Sequence, residues 1–71
     1  MPDNQDSNIA TADVLTLILH NQYALAAAIE EIALWARASG SPEAHANAIE
    51  ALTTLDVNAS AISEGIFNLR Q

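Results

Sequence analysis

The chain has no cysteine and no lysine, and only two prolines, two glycines and three aromatic residues in 71 positions. Each shortage excludes something. Without cysteine there is no disulfide and no thiolate metal site to staple a small fold. Two prolines and two glycines supply too few turns for a many-stranded β fold. Two arginines against nine acids leave a formal charge of −7. Such a charge repels phosphate backbones and anionic lipid, so neither nucleic acid nor membrane is expected as a partner. The opening Met1-Pro2-Asp3-Asn4-Gln5-Asp6 carries no basic residue, which is unlike a secretory signal. The longest apolar stretch, Val14 to Leu19, stops at His20-Asn21-Gln22, and Glu30-Glu31 interrupt the next. Neither matches the roughly 20 apolar residues of a membrane span. A cytoplasmic location is the expectation.

What remains is the composition of a helical protein. Alanine occurs 15 times, and Leu, Ile, Val and Phe together 18 times, above the range of disordered chains. The length bounds the chain to one domain. A domain this small buries only about 60% of its unfolded surface and is marginal alone.

Residues 1–8 read as a flexible acidic tail and 9–71 as one helical domain. A helical pattern runs from about 11 to 38, with Ser7 or Thr11 as candidate N-cap and Asp13 in the first turn. Arg37 suits the last turn, and Gly40 suits the left-handed position after a helix end. Ser41-Pro42-Glu43 then opens a second helix, with Ser41 as N-cap and Pro42 at the first helical position. This helix reaches about 69. The Ser39-Gly40-Ser41 link is short enough to force the helices antiparallel. The fold expected is therefore all-α, a two-helix hairpin.

Heptad spacing supports it. Leu15, Ile18, Gln22, Leu25, Ile29, Ile32 and Ala36 step alternately by three and four in the first helix. His45, Ala48, Leu52, Leu55, Ala59, Ile62, Ile66 and Leu69 do so in the second. Folding at Gly40 pairs Leu15 with Ile66, Ile18 with Ile62, Gln22 with Ala59, Leu25 with Leu55, Ile29 with Leu52, Ile32 with Ala48 and Ala36 with His45. Asn21, Gln22 and Asn58 fall together at mid-hairpin and read as a polar layer that fixes register.

The first helix keeps apolar surface that one hairpin cannot cover. Leu17, Leu19, Tyr23, Ala24, Ala27, Ala28, Leu34 and Trp35 are the expected interface residues. A helix apolar all round is normally buried all round, and here that burial must come from another chain. The simplest solution is a homodimer of hairpins forming a four-helix bundle. The alternative is a different protein bound through helix 1, as a co-chaperone or antitoxin-like subunit masks a partner helix. In size, acidity and hairpin shape the chain is similar to the small co-chaperones of bacterial secretion needles.

Chemistry is poorly served. His20 and His45 stand far apart along the hairpin, and no Glu-x-x-His pair exists for a di-metal bundle. Glu30, Glu31 and Glu50 point in different directions and read as solvated. Glu30 and Arg37, seven apart, flank Tyr23 as an interface rim. There is no Gly-rich phosphate loop and no nucleophile with an oriented base. The expectation is a non-enzymatic oligomerisation or protein-interaction module, regulatory or scaffolding, without cofactor or metal; a metal-binding or catalytic helical bundle is the remote alternative.

Overall fold

The computed structural model describes residues 4–71. It is an all-helical hairpin: α1 spans Asn4–Ala38 and α2 spans Pro42–Arg70, and the two pack along their length. The molecule is a rod, 58 × 15 × 13 Å, with a radius of gyration of 16.5 Å. A compact chain of this length has a radius of gyration near 11 Å, so there is no third layer to cover either side of the helix pair.

The connection is built as the sequence implies. Gly40 takes φ +81°, a conformation that costs an L side chain about 1–2 kcal/mol. Its N–H donates to the Arg37 carbonyl at 3.2 Å, and the Ser41 N–H donates to the Ala36 carbonyl at 2.8 Å. This pair of bonds is a Schellman motif, which satisfies the carbonyls orphaned at the end of α1. The Ser41 carbonyl accepts the first α2 bond from the His45 N–H at 3.0 Å, and Pro42 follows in the first turn. Ser41 is thus the N-cap residue, although its hydroxyl makes no capping bond. Nothing lies within 4 Å of a Cβ at Gly40, so the glycine is required for its backbone alone. Gly40→Ala is expected to lower stability by about 1 kcal/mol, read as a reduced midpoint in urea.

At the other end the helix is longer than the sequence suggests. Residues 4–8, expected as tail, already form the first turns of α1. Ser7 and Thr11 are therefore not N-caps. Both lie inside the helix, and the Thr11 hydroxyl donates to the Ser7 carbonyl at 2.9 Å. This bond occupies a hydroxyl that would otherwise compete with the helix. Residues 1–3 of the expected tail lie outside the described residues.

The inward face of α2 is the one its heptads give: His45, Ala48, Leu52, Leu55, Ala59, Ile62, Ile66 and Leu69 are all buried or half-buried. The inward face of α1 is not. It consists of Ala12, Leu15, Leu19, Gln22, Ala26, Ile29, Ala33 and Ala36. Leu15, Gln22, Ile29 and Ala36 agree with expectation, but Leu19, Ala26 and Ala33 replace Ile18, Leu25 and Ile32. Leu19 is 6% exposed, whereas Ile32 is 61% exposed. Helix 1 is turned about its axis by about half of the 100° that separates neighbouring residues.

The reason is size. A three-residue link holds the helix axes close at the turn, and the inward residues there are Ala33 and Ala36, opposite Ala48 and His45. Alanine suits such a close approach, and Ile32 stands outside the seam at 61% exposure. The layers that follow, from the turn outwards, pair Ile29 with Leu52, Ala26 with Leu55, Gln22 with Ala59, Leu19 with Ile62, Leu15 with Ile66 and Ala12 with Leu69, so that small meets large in three of them and large meets large in the others. Ala12, Leu19 and Ile66 form the buried cluster at the open end, flanked by Leu15, Ala59, Ile62 and Leu69. Near the turn, the His45 ring nitrogen Nδ1 lies 2.8 Å from the Ala33 carbonyl. A carbonyl only accepts, so Nδ1 carries the proton.

Candidate interaction face

Turning α1 moves its larger apolar side chains outward. Val14, Ile18, Asn21, Leu25, Ala28, Ile32 and Trp35 step by four and three residues and form a second heptad row. All seven are exposed, and Trp35 is 68% exposed. In an antiparallel pair the neighbouring flank of α2 is the row Ala44, Ala51, Asn58 and Gly65, all exposed. The next α2 row outward is Asn47, Thr54, Ala61 and Asn68. No charged residue occupies any of these positions.

The charges lie elsewhere. Asp56 and Arg70 occupy the opposite flank of α2 and Glu30 and Arg37 the opposite flank of α1, while Glu31, Glu43, Glu50 and Glu64 point directly away from the helix pair. On the far flank Arg70 donates to the Asp13 carboxylate at 2.8 Å and reaches the Thr16 hydroxyl at 3.4 Å. Both members of this ion pair are largely exposed, so it adds little stability. It does mark one side of the hairpin as polar and the other as charge-free.

The residues singled out from the sequence divide among these surfaces. Trp35 and Ala28 lie on the charge-free face, whereas Leu17 and Ala24 share the row of Glu31 that points directly away from the helix pair. Leu19 is not an interface residue, because it fills the seam between the helices. Tyr23 stands on the charged flank with Glu30 and Arg37. Ala27 and Leu34 share the back of α1 with Asp13 and His20. Val14, Ile18, Leu25 and Ile32 belong to the face and were not among its expected members. Their exposure follows only once the rotation of α1 is known.

The three amides also separate. Gln22 is half-buried inside the seam, whereas Asn21 and Asn58 are exposed on the charge-free face at nearly the same height along the rod. The three amides expected to form one layer are thus divided between the seam and the charge-free face. Asn21→Leu is expected to broaden the distribution of oligomers seen by light scattering. Gln22→Leu is expected to raise hairpin stability by about 1 kcal/mol, seen as a higher melting temperature with oligomer size unchanged.

Among the described residues there is no pocket and no group of three His, Cys, Asp or Glu side chains placed to hold a metal. By length and composition α1 would pass as a membrane span. Its uncharged stretch, however, runs only over 14–29, between Asp13 and Glu30. At 1.5 Å per residue that is about 24 Å, short of a hydrocarbon core of about 30 Å. His20, Asn21 and Gln22 stand in its middle. Compared with protein families, curated proteins and solved structures, the chain matches none of them.

Proposed function

We propose that this chain is a non-enzymatic oligomerisation module, in which two hairpins pair through the charge-free face as a four-helix bundle. The observation that carries the reading is the face itself: two helices wide, free of charge in a chain of net charge −7, and carrying Val14, Ile18, Leu25, Ile32 and Trp35 as one continuous exposed row along α1, whereas the other large exposed apolar side chains are scattered among charged positions. Contiguous apolar surface of this kind marks an interaction site on a soluble protein. The area agrees. A compact monomer of 7.5 kDa exposes roughly 4,200 Å², whereas the hairpin exposes 5275 Å². Hiding the excess on two copies removes about 2,000 Å² in total, the size of a stable dimer interface.

The asparagines favour a second copy over an unrelated helix. Asn21 lies at the middle of α1, and Asn58 at almost the same height on α2. Any two-fold pairing of full-length hairpins sets these amides against amides, so that each finds a hydrogen-bonding partner. A foreign apolar helix would leave them unpaired. The expected role is regulatory or scaffolding, in the cytoplasm. Sedimentation equilibrium at micromolar concentration is expected to return twice 7.5 kDa. A 7.5 kDa species across that range that co-purifies with another chain from its host would instead support the subunit that masks a partner helix. A monomer that partitions into lipid vesicles would overturn both readings.

A further inference from the structure

The charge-free face has two unlike halves lying side by side. On α1 the outward row is bulky, with Ile18, Ile32 and Trp35 all exposed. On α2, at matching heights, the row is small: Gly65, Ala51 and Ala44. A Cβ added at Gly65 would meet nothing within 4 Å, so the trough along α2 is open there. Ridge and trough run parallel along the rod.

Two hairpins can meet face to face about a two-fold axis in one of two ways. With the axis across the helices, α1 covers α1 and α2 covers α2. Leu25 of each copy then meets Ile18 of the other, while Trp35 and Ile32 fall opposite Ser7 and Thr11, and on α2 Ala51 and Gly65 oppose each other across a gap, which forfeits packing. With the axis along the helices, α1 of each copy lies over α2 of the other. Three of the bulky side chains then enter troughs at about the same height, Ile18 over Gly65, Ile32 over Ala51 and Trp35 over Ala44, while Leu25 comes to lie over Asn58.

From this fit we infer that the partner of the charge-free face is a second copy of the chain arranged with the two-fold axis parallel to the helices. Both Ser39-Gly40-Ser41 turns then lie at one end of the bundle, and each helix is antiparallel to both of its neighbours. The inference rests on the self-association proposed above and specifies its geometry. The partner's α1 supplies the apolar side chains that α2 lacks, so neither face is complete without the other copy. The central band of Asn21 and Asn58 is closed in the same step, since each Asn21 comes to lie over the other copy's Asn58.

Two measurements test the geometry separately from the association. The first uses Ser39→Cys, an exposed position beside the turn in a chain with no other cysteine. The thiol is spin-labelled and the distance between labels is read by double electron–electron resonance. With helix axes 8–10 Å apart, labels at one end of a bundle are separated by roughly 25 Å or less. The opposite arrangement puts them at the two ends of a rod 58 Å long, and a distance near that length would overturn the inference while leaving the dimer intact. The second uses Gly65→Leu. In one hairpin the new side chain enters open space and replaces a poor helix former, so the melting temperature of the hairpin should hold or rise. In the proposed dimer it blocks the seat of Ile18, and the dissociation constant should increase at least tenfold. An unchanged or tighter dimer would mean that the α2 troughs face each other and were filled. A monomeric mass for the unsubstituted chain at all concentrations would remove the self-association itself, and the geometry with it.

Discussion

Leu25→Glu is expected to leave a folded hairpin that no longer pairs. Leu25 lies at the centre of the outward α1 row and is more than half exposed, so its replacement removes little from the contact between α1 and α2. Pairing would bury the new carboxylate among Ile18, Ala28 and Ile32 without a cation. Neither arginine of the partner reaches that level of the face, because both stand on the opposite flank. An unpaired buried charge costs several kcal/mol, and each dimer would contain two. A loss of about 4 kcal/mol weakens association by about a thousandfold. Sedimentation should therefore show a 7.5 kDa species at concentrations where the unsubstituted chain is paired. Circular dichroism should show helix content close to that of the parent. A dimer of unchanged affinity would mean that this face is not the interface. Collapse of the helix signal would mean that Leu25 belongs to the seam after all.

The second large effect separates two neighbours in the sequence. Leu19 is buried between the helices and touches the Ile66 cluster, whereas Ile18 is 45% exposed. In the Leu25→Glu background, where pairing no longer contributes, Leu19→Ala should lower stability by 2–5 kcal/mol, about the cost of emptying a buried leucine site. For a domain of this size each kcal/mol moves the melting temperature by roughly 4–8 °C, so the shift should be at least about 8 °C. Ile18→Ala in the same background should cost under about 1 kcal/mol. Thermal melts followed by circular dichroism read both. The reverse ranking would place α1 in the other rotation and would take the charge-free face with it.

That pair of residues also shows where the sequence is readable and where it is not. Helix 2 has one continuous apolar heptad row, with Ile49, Val57 and Phe67 standing singly outside it among Glu43, Glu50 and Glu64, so its inward face follows from spacing alone, residue for residue. The turn is equally legible, because glycine is required at positive φ and proline is confined to the first turn of the next helix. Helix 1 has two apolar heptad rows that share a helix. Spacing cannot rank them, and hydrophobicity ranks them the wrong way, since the isoleucine and leucine row is the greasier. What decides is the distance between the axes near a three-residue turn, which favours alanine. That information is in the pairing of the two helices and not in either one. The face followed the same fate. Trp35 and Ala28 were recognisable as surplus apolar residues, but Ile18, Leu25 and Ile32 became interface candidates only when the structure excluded them from the seam. The start of α1 was missed for a different reason. Asn4 to Asn8 are polar and lack periodicity, and their helix is an extension of a stable one, which propagates more easily than a helix nucleates.

The shallow interior of the rod has a consequence for how the chain survives in a cell. Five apolar side chains are buried among the described residues, and three of them are alanine. Such an interior gives a lone hairpin a small margin of stability, and whatever occupies the bare side adds to that margin by mass action. Abundance then becomes a folding variable. Under the pairing proposed above, a copy made in excess of its counterparts would spend more time open, where proteases reach the backbone, and would be removed first. The amount of protein in the cell would in this way be matched to the number of places it can occupy, with the thinness of the helix pair acting as the sensor.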